Sequence, residues 1–265
     1  MSEMSDAARG QVARSAAEVY EAFFVPALFG QFAGPLCAAA QVAPGMQVLD
    51  VACGTGAAAR AAAGLGAEVT GVDLNPGMLA EARKAAPQID WREGAAEALP
   101  LPDASVYAAL CQFGLMFFED RVAALREMVR VTRPGGRVAL AVWDAPDASP
   151  GYARMIALLE RLFGPEAADA MRAPFCLGET DALAALLDEA GLGAARIETM
   201  PGTARFASIE AWVHTDVRGW TLADMIDAAG NDRLLAAARQ EFAQFAAPDG
   251  RVSFPAPAHF VLATL

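Results

Sequence analysis

From residue 46 to residue 143, short runs of branched and aliphatic residues alternate with stretches whose apolar positions recur every three to four residues. That alternation predicts a parallel sheet covered by helices on both faces. Strands are expected near 46–51, 68–73, 88–92, 105–111 and 136–143. An Ala-rich helix should fill 57–65, and the next should open at Asn75, a capping residue followed by Pro76 in the first turn. A third helix carries Val122, Leu125, Met128 or Val129 and Thr132 on one face and Arg121, Arg126 and Arg130 on the other, and Arg133-Pro134-Gly135-Gly136 stops it. Its apolar face is expected on the sheet.

Beyond Trp143 the pattern gives way to Pro, Gly and Met with aromatics, so residues 144–178 read as an insertion. Thr180 then caps an amphipathic helix with Leu183, Leu186 and Leu187, and a strand follows near 194–199. A second, mainly helical stretch (208–246) holds Trp212, Trp220, Met225, Phe242 and Phe245, and a last strand at about 252–264 returns to the sheet. No repeat or low-complexity linker separates these pieces. The chain therefore reads as a single domain over 1–265, with N-terminal helices at 1–45, a core at 46–143, and helical lid insertions at 144–178 and 207–247.

Composition narrows the picture. A chain of 265 residues, 55% hydrophobic, can bury one large core. No apolar run approaches the roughly 18 residues that span a bilayer, and the polar N-terminus is unlike a signal peptide. A cytoplasmic protein without a membrane partner is expected. Four scattered cysteines and two histidines, with no Cys-x-x-Cys pair, predict neither a disulfide framework nor a metal site. A net charge of -12 and the lack of a basic stripe argue against a nucleic-acid partner.

The chemistry concentrates in one turn. A strand, then Gly54-x-Gly56-x-x-Ala59 opening a helix, then Asp73 ending the next strand satisfies a dinucleotide fingerprint, and taken alone it admits a nicotinamide-dependent oxidoreductase. Asp50 opposes that reading. A carboxylate four residues before the first glycine would sit against a pyrophosphate in a poorly screened crevice. A phosphate-free ligand bearing positive charge, such as S-adenosyl-L-methionine with its ammonium and sulfonium, makes the same carboxylate favourable, directly or through water.

Several blocks together resemble the class I S-adenosylmethionine-dependent methyltransferases, in the branch similar to the quinone-biosynthesis and small-molecule enzymes. Val48–Gly56 resembles that family's first motif and Gly71–Leu79 its second. Glu93–Pro100 is similar to the adenine-side loop, Cys111–Met116 to the end of the fourth strand, and Arg133–Gly136 to the turn into the fifth. The resemblance covers about residues 46–143. It implies an α/β, Rossmann-like sheet of seven strands with the last antiparallel. It also implies a cofactor held by Asp50, Ala52, Gly54 and Gly56, by Asp73, Leu74 and Met78, by Gly94, Ala95 and Ala96, and by Cys111 and Gln112. Asp73 would accept from the ribose hydroxyls, and Tyr20, on an N-terminal helix, would close over the ligand. Two positions depart from the pattern. Ala95 stands where an acidic residue usually meets the adenine amine, and Val106-Tyr107 replaces the usual Phe-Asp at the start of the fourth strand.

Methyl transfer from a sulfonium is an in-line displacement that depends mainly on alignment, so a base is needed only for a hydroxyl or acidic-carbon acceptor. His214 and Gln112 are the candidate catalytic residues, with His259 and Asp144 behind them; each also reads as a structural group. The lid aromatics and methionines fit a hydrophobic small-molecule acceptor, or equally the lid's own core. A protein of the same fold that binds the cofactor without transferring methyl stays open.

Overall fold

The computed structural model describes residues 14–218, 222 and 225–265. Helices α1 (Arg14–Val19) and α2 (Gly30–Ala39) are joined by a π-helical segment, Tyr20–Phe29. The expected alternation follows as β1 (Gln47–Val51), α3 (Ala57–Gly64), β2 (Glu68–Asp73), α4 (Pro76–Ala85), β3 (Asp90–Glu93), β4 (Val106–Gln112), α5 (Arg121–Val131) and β5 (Thr132–Trp143). The remainder is α6 (Pro150–Phe163), α7 (Pro165–Arg172), α8 (Thr180–Glu189), β6 (Arg196–Met200), β7 (Thr203–Phe206), α9 (Ile209–Arg218), α10 (Ala228–Glu241), β8 (Val252–Pro255) and β9 (Ala258–Thr264). Trp220 lies outside the described residues.

Seven strands form one sheet in the order β3-β2-β1-β4-β5-β9-β6. The first five are parallel, and β9 runs antiparallel between β5 and β6. This is the sheet that the sequence resemblance implies. Strand β4 is buried on both faces, so Ala108-Ala109-Leu110-Cys111 is continuously apolar where a half-exposed strand would alternate. The strand order reverses between β1 and β4, which opens a crevice at their carboxyl ends, the usual ligand position in such sheets. Asn75 caps α4 as its sequence predicts: Oδ1 accepts from Gly77 N at 2.8 Å and Met78 N at 3.2 Å.

Four local expectations need correction. The last strand is two: β8 pairs with β7 in a separate two-stranded sheet, and only β9 joins the main one. Pro255 and Pro257 flank the break, and neither has an N–H to carry a ladder through it. Strand β5 begins at Thr132, so this residue leaves the helix, and Arg133–Gly136 enters the strand through a register shift against β4, with Gly135 at φ +76°. Thr180 is the first residue of α8 and not its cap. Finally, Ala17–Ala39 forms 23 helical residues long and apolar enough to cross a membrane by length and composition. Reading uninterrupted runs missed it because Tyr20, Glu21 and Gln31 break the run. In this fold it is a core element: Phe32 is buried and meets Phe113, Trp143 and Phe260 at ring distances of 5.3, 5.7 and 6.0 Å. Packing that helix on the sheet carries Tyr20 to the crevice.

Candidate functional site

The turn after β1 is tightly wound. Ala52, Gly54 and Gly56 have φ of +52°, +54° and +87°, left-handed values that a Cβ disfavours. Gly56 has a second constraint. A Cβ there would stand 2.3 Å from the Trp91 ring, whose indole N–H donates to the Ala86 carbonyl at 2.9 Å and so resists moving. The alanine at 52, held left-handed without being glycine, stores strain on the order of 1 kcal/mol.

Two carboxylates organise this turn. Asp50 is buried, and its Oδ2 accepts from Ala59 N at 2.8 Å, which fixes the first turn of α3 against β1. Burial pushes its carboxyl up to about 7, with Asp73 adding to the rise and the Ala59 bond and Arg60 opposing it. Asp73, at the end of β2, accepts from Gly54 N at 2.7 Å and from Asn75 N at 2.8 Å. Its carboxyl is also raised by burial, against the pull of those two bonds. Arg60 does not enter the crevice; it donates to the Thr55 carbonyl and pairs with Glu21 at 2.9 Å, tying α3 to the π-helical segment.

These elements enclose a cavity of about 400 Å³, within the roughly 300–1,000 Å³ of small-molecule sites. Of the residues singled out from sequence, Tyr20, Asp50, Ala52, Gly54, Asp73, Leu74, Met78, Ala95, Ala96 and Gln112 line it. Gly56, Gly94 and Cys111 do not. Gly56 packs on Trp91, Gly94 N donates to the Asp73 carbonyl at 3.1 Å, and Cys111 is wholly buried with its thiol pushed up to about 12 by that burial. Gln112 donates from Nε2 to the Phe29 carbonyl at 3.2 Å, leaving Oε1 buried without a hydrogen-bond partner among the described residues. Tyr20 stacks on Phe29 at 5.1 Å, and burial, then Asp73, raises its hydroxyl pKa.

Sequence reasoning missed the far wall. Phe113, Gly114, Phe117, Phe118, Glu119 and Asp120 line the cavity from the loop after β4, and Glu97 joins them from the adenine-side loop. The signal was available, because the carboxyl end of a strand beside the crossover faces the crevice and the loop must continue from it. Among the described residues the lining holds five carboxylates, Asp50, Asp73, Glu97, Glu119 and Asp120, and no Lys, Arg or His.

His214 is on the exposed face of α9, its ring 6.0 Å from that of Phe23, and is not in the cavity lining. His259 is buried on β9, between β5 and the edge strand β6. Its Nε2 donates to the Gly178 carbonyl at 2.9 Å, with Asp144 Oδ1 at 3.2 Å, and its Nδ1 is 3.0 Å from the Thr199 hydroxyl. The ring thus pins both ends of the first insertion to β9 and β6. Replacing His259 by Leu strands the buried Gly178 carbonyl and removes the contact to Asp144, and should lower stability by roughly 1–3 kcal/mol, read as a lower urea midpoint; an unchanged midpoint would show that the pin carries no load. Most lid aromatics form the lid's own core: Trp212 meets Phe242 and Phe254 at 4.6 Å each.

Comparison with known proteins agrees with this geometry. Residues 49–140 match the family described as a methyltransferase domain. Demethylmenaquinone methyltransferase of Beutenbergia cavernae is 41% identical over 107 residues, 40% of this chain and 45% of that protein. The enzyme of the same name from Chlorobaculum parvum is 47% identical over 91 residues, 34% of this chain and 38% of that protein. The chain thus spans less than half the length of these curated relatives. Among solved structures, a putative methyltransferase from an antibiotic biosynthesis pathway of Anabaena variabilis superposes with TM-score 0.67 at 19% identity, over 89% of this chain and 97% of that one. Phosphoethanolamine N-methyltransferase 2 of Haemonchus contortus, in complex with S-adenosyl-L-methionine, superposes with TM-score 0.62 at 18% identity, over 100% of this chain and 60% of that one. At such identities the likeness is one of fold. Residues 49–140 of this chain match a methyltransferase domain, and they lie within a seven-stranded α/β sheet whose fold is that of the solved methyltransferases.

Proposed function

We propose that the chain as a whole is an S-adenosylmethionine-dependent methyltransferase acting on a hydrophobic or aromatic small molecule. The observation that carries this reading is the charge of the cavity: five carboxylates and no cation among its described lining. A pyrophosphate would meet repulsion from these carboxylates, whereas an ammonium and a sulfonium are attracted. The names of the curated relatives support a ring-bearing acceptor.

Bound cofactor supplies an activated methyl on a positively charged sulfur. The residues of this chain hold and orient it. Asp73 accepts from ribose hydroxyls, while Asp50 and the free Oε1 of Gln112 offer acceptors to the cationic end. Leu74 and Met78 give the adenine an apolar slot, and backbone groups at Ala95 and Ala96 take its edge. Tyr20 and Phe113 exclude water from the side facing the lid. Alignment then accounts for much of the acceleration, with no covalent step on the protein.

Calorimetry and thermal shift with S-adenosylmethionine, S-adenosylhomocysteine and NAD test the binding half: both sulfur nucleosides should bind and raise the unfolding temperature, and NAD should not. Supplying phenols, quinols and amines and following demethylated cofactor tests the transfer half. Silence with both sulfur nucleosides would sink the proposal, and no turnover across the panel would leave a binding protein.

A further inference from the structure

Beside the cofactor cavity lies a second, smaller chamber of about 40 Å³, open on one side and walled by Phe29, Trp143, Tyr152, Phe175 and Met171. By the space one water needs, about 10–15 Å³, it takes roughly three heavy atoms: the edge of a ring and its substituent. One charged-type group lines it, Asp216 on α9. That carboxyl is 2% exposed, and its Oδ2 has no hydrogen-bond partner among the described residues. The indole N–H of Trp212, one turn earlier, faces it without closing a bond of normal geometry. A buried acceptor left unmatched costs stability, so a fold that keeps one in an aromatic chamber has a use for it.

The chamber and the cavity are separated by a wall of stacked ring pairs. Phe29 and Trp143 line the chamber, and they stack on Tyr20 at 5.1 Å and on Phe113 at 4.0 Å, which line the cavity. We propose that this chamber is the acceptor's recognition subsite and that Asp216 binds a neutral hydroxyl on an aromatic acceptor, a phenol or quinol. The inference rests on the methyltransferase reading and names the substrate class for it. A hydroxyl suits the site better than an ammonium does, because a buried ion pair would need both partners stripped of water in a chamber walled mainly by apolar side chains. The same burial holds the Asp216 carboxyl up to about 8, so at neutral pH it can both donate to and accept from a hydroxyl without a buried charge.

The test titrates 2-naphthol, 2-methoxynaphthalene and 2-naphthylmethylammonium into the full chain by tryptophan fluorescence, with S-adenosylmethionine binding measured calorimetrically on the same samples. Wild type should bind 2-naphthol about tenfold or more tighter than its methyl ether, the worth of one hydrogen bond to such a group. Asp216→Leu should erase that difference and leave cofactor affinity unchanged. Should the Leu variant fail to fold, Asp216→Asn, which keeps the shape, should shrink the difference. Equal binding of naphthol and ether by wild type, a difference that survives both substitutions, tightest binding of the ammonium, or no saturable naphthol binding would each overturn the assignment. Cofactor binding without the naphthol pattern would fail the anchor alone, whereas loss of cofactor binding in wild type would fail the methyltransferase reading itself.

Discussion

Asp73→Ala should weaken S-adenosylmethionine binding by at least about 100-fold, the loss expected when two hydrogen bonds to an ionisable acceptor disappear together. In the absence of ligand the carboxylate bridges Gly54 N and Asn75 N, at 2.7 and 2.8 Å, so it joins the glycine turn to the start of α4. On the proposed reading, ribose hydroxyls arriving at the end of β2 would meet an acceptor already fixed from two sides, which spares the ordering cost of a mobile side chain. Truncation removes the acceptor and loosens the turn, so the cofactor-induced rise in unfolding temperature should vanish as well. Asp73→Asn retains one oxygen and should fall between. Calorimetry decides it: an alanine variant that binds within a few-fold of wild type means that the ribose lies elsewhere and that the cavity has been assigned the wrong way round.

Much of this cavity was legible because its determinants are local. A strand, a turn wound through left-handed backbone and a helix start are encoded in consecutive residues, so Asp50, Gly54 and Asp73 could be named before any coordinates. Where long-range packing decides, the sequence said less. Gly56 satisfies a motif, yet its requirement comes from Trp91, 35 residues on, whose ring occupies the space of a Cβ. The break at Pro255 and Pro257 hid inside an apolar pattern that reads as one strand. The segment Trp212-Val213-His214-Thr215-Asp216 is the sharpest case. Its histidine drew attention by its chemistry, but on α9 Trp212, Val213 and Asp216 face inward at helical spacing and His214 faces out. The phase of the helix, set by its apolar residues, outweighed the reactivity of any one side chain.

Stability should fall as pH rises from about 4 to about 8, the reverse of ordinary acid denaturation. Burial raises the carboxyl of Asp50 to about 7 and that of Asp216 to about 8, and raises Asp73 in the same direction. In the unfolded chain all three ionise near about 3.9. Between those limits the folded chain binds more protons than the unfolded one, so the slope of unfolding free energy against pH is negative. Glu127, held below its usual value by Arg130, and Glu210, brought to about 2 by Arg239, act in the opposite sense; their stabilisation is lost only as pH falls further. The optimum for the ligand-free protein therefore belongs near pH 4–5. Asp216 faces Tyr152 of α6, whose hydroxyl is itself raised by burial and by this carboxyl, and among the described residues no cation relieves it. Asp216→Asn should consequently stabilise the fold, by an amount that grows from near zero at pH 4 to on the order of a few kcal/mol at pH 8. Urea unfolding of both proteins across that range reads the gap directly. A gap that stays constant with pH would mean that Asp216 ionises as freely in the folded protein as in the unfolded chain. A cationic ligand works against the same burial at Asp50, so S-adenosylmethionine binding near pH 7 should expel a fraction of a proton. That fraction appears in calorimetry as a binding heat that depends on the buffer's ionisation enthalpy, and Asp50→Asn should abolish the dependence.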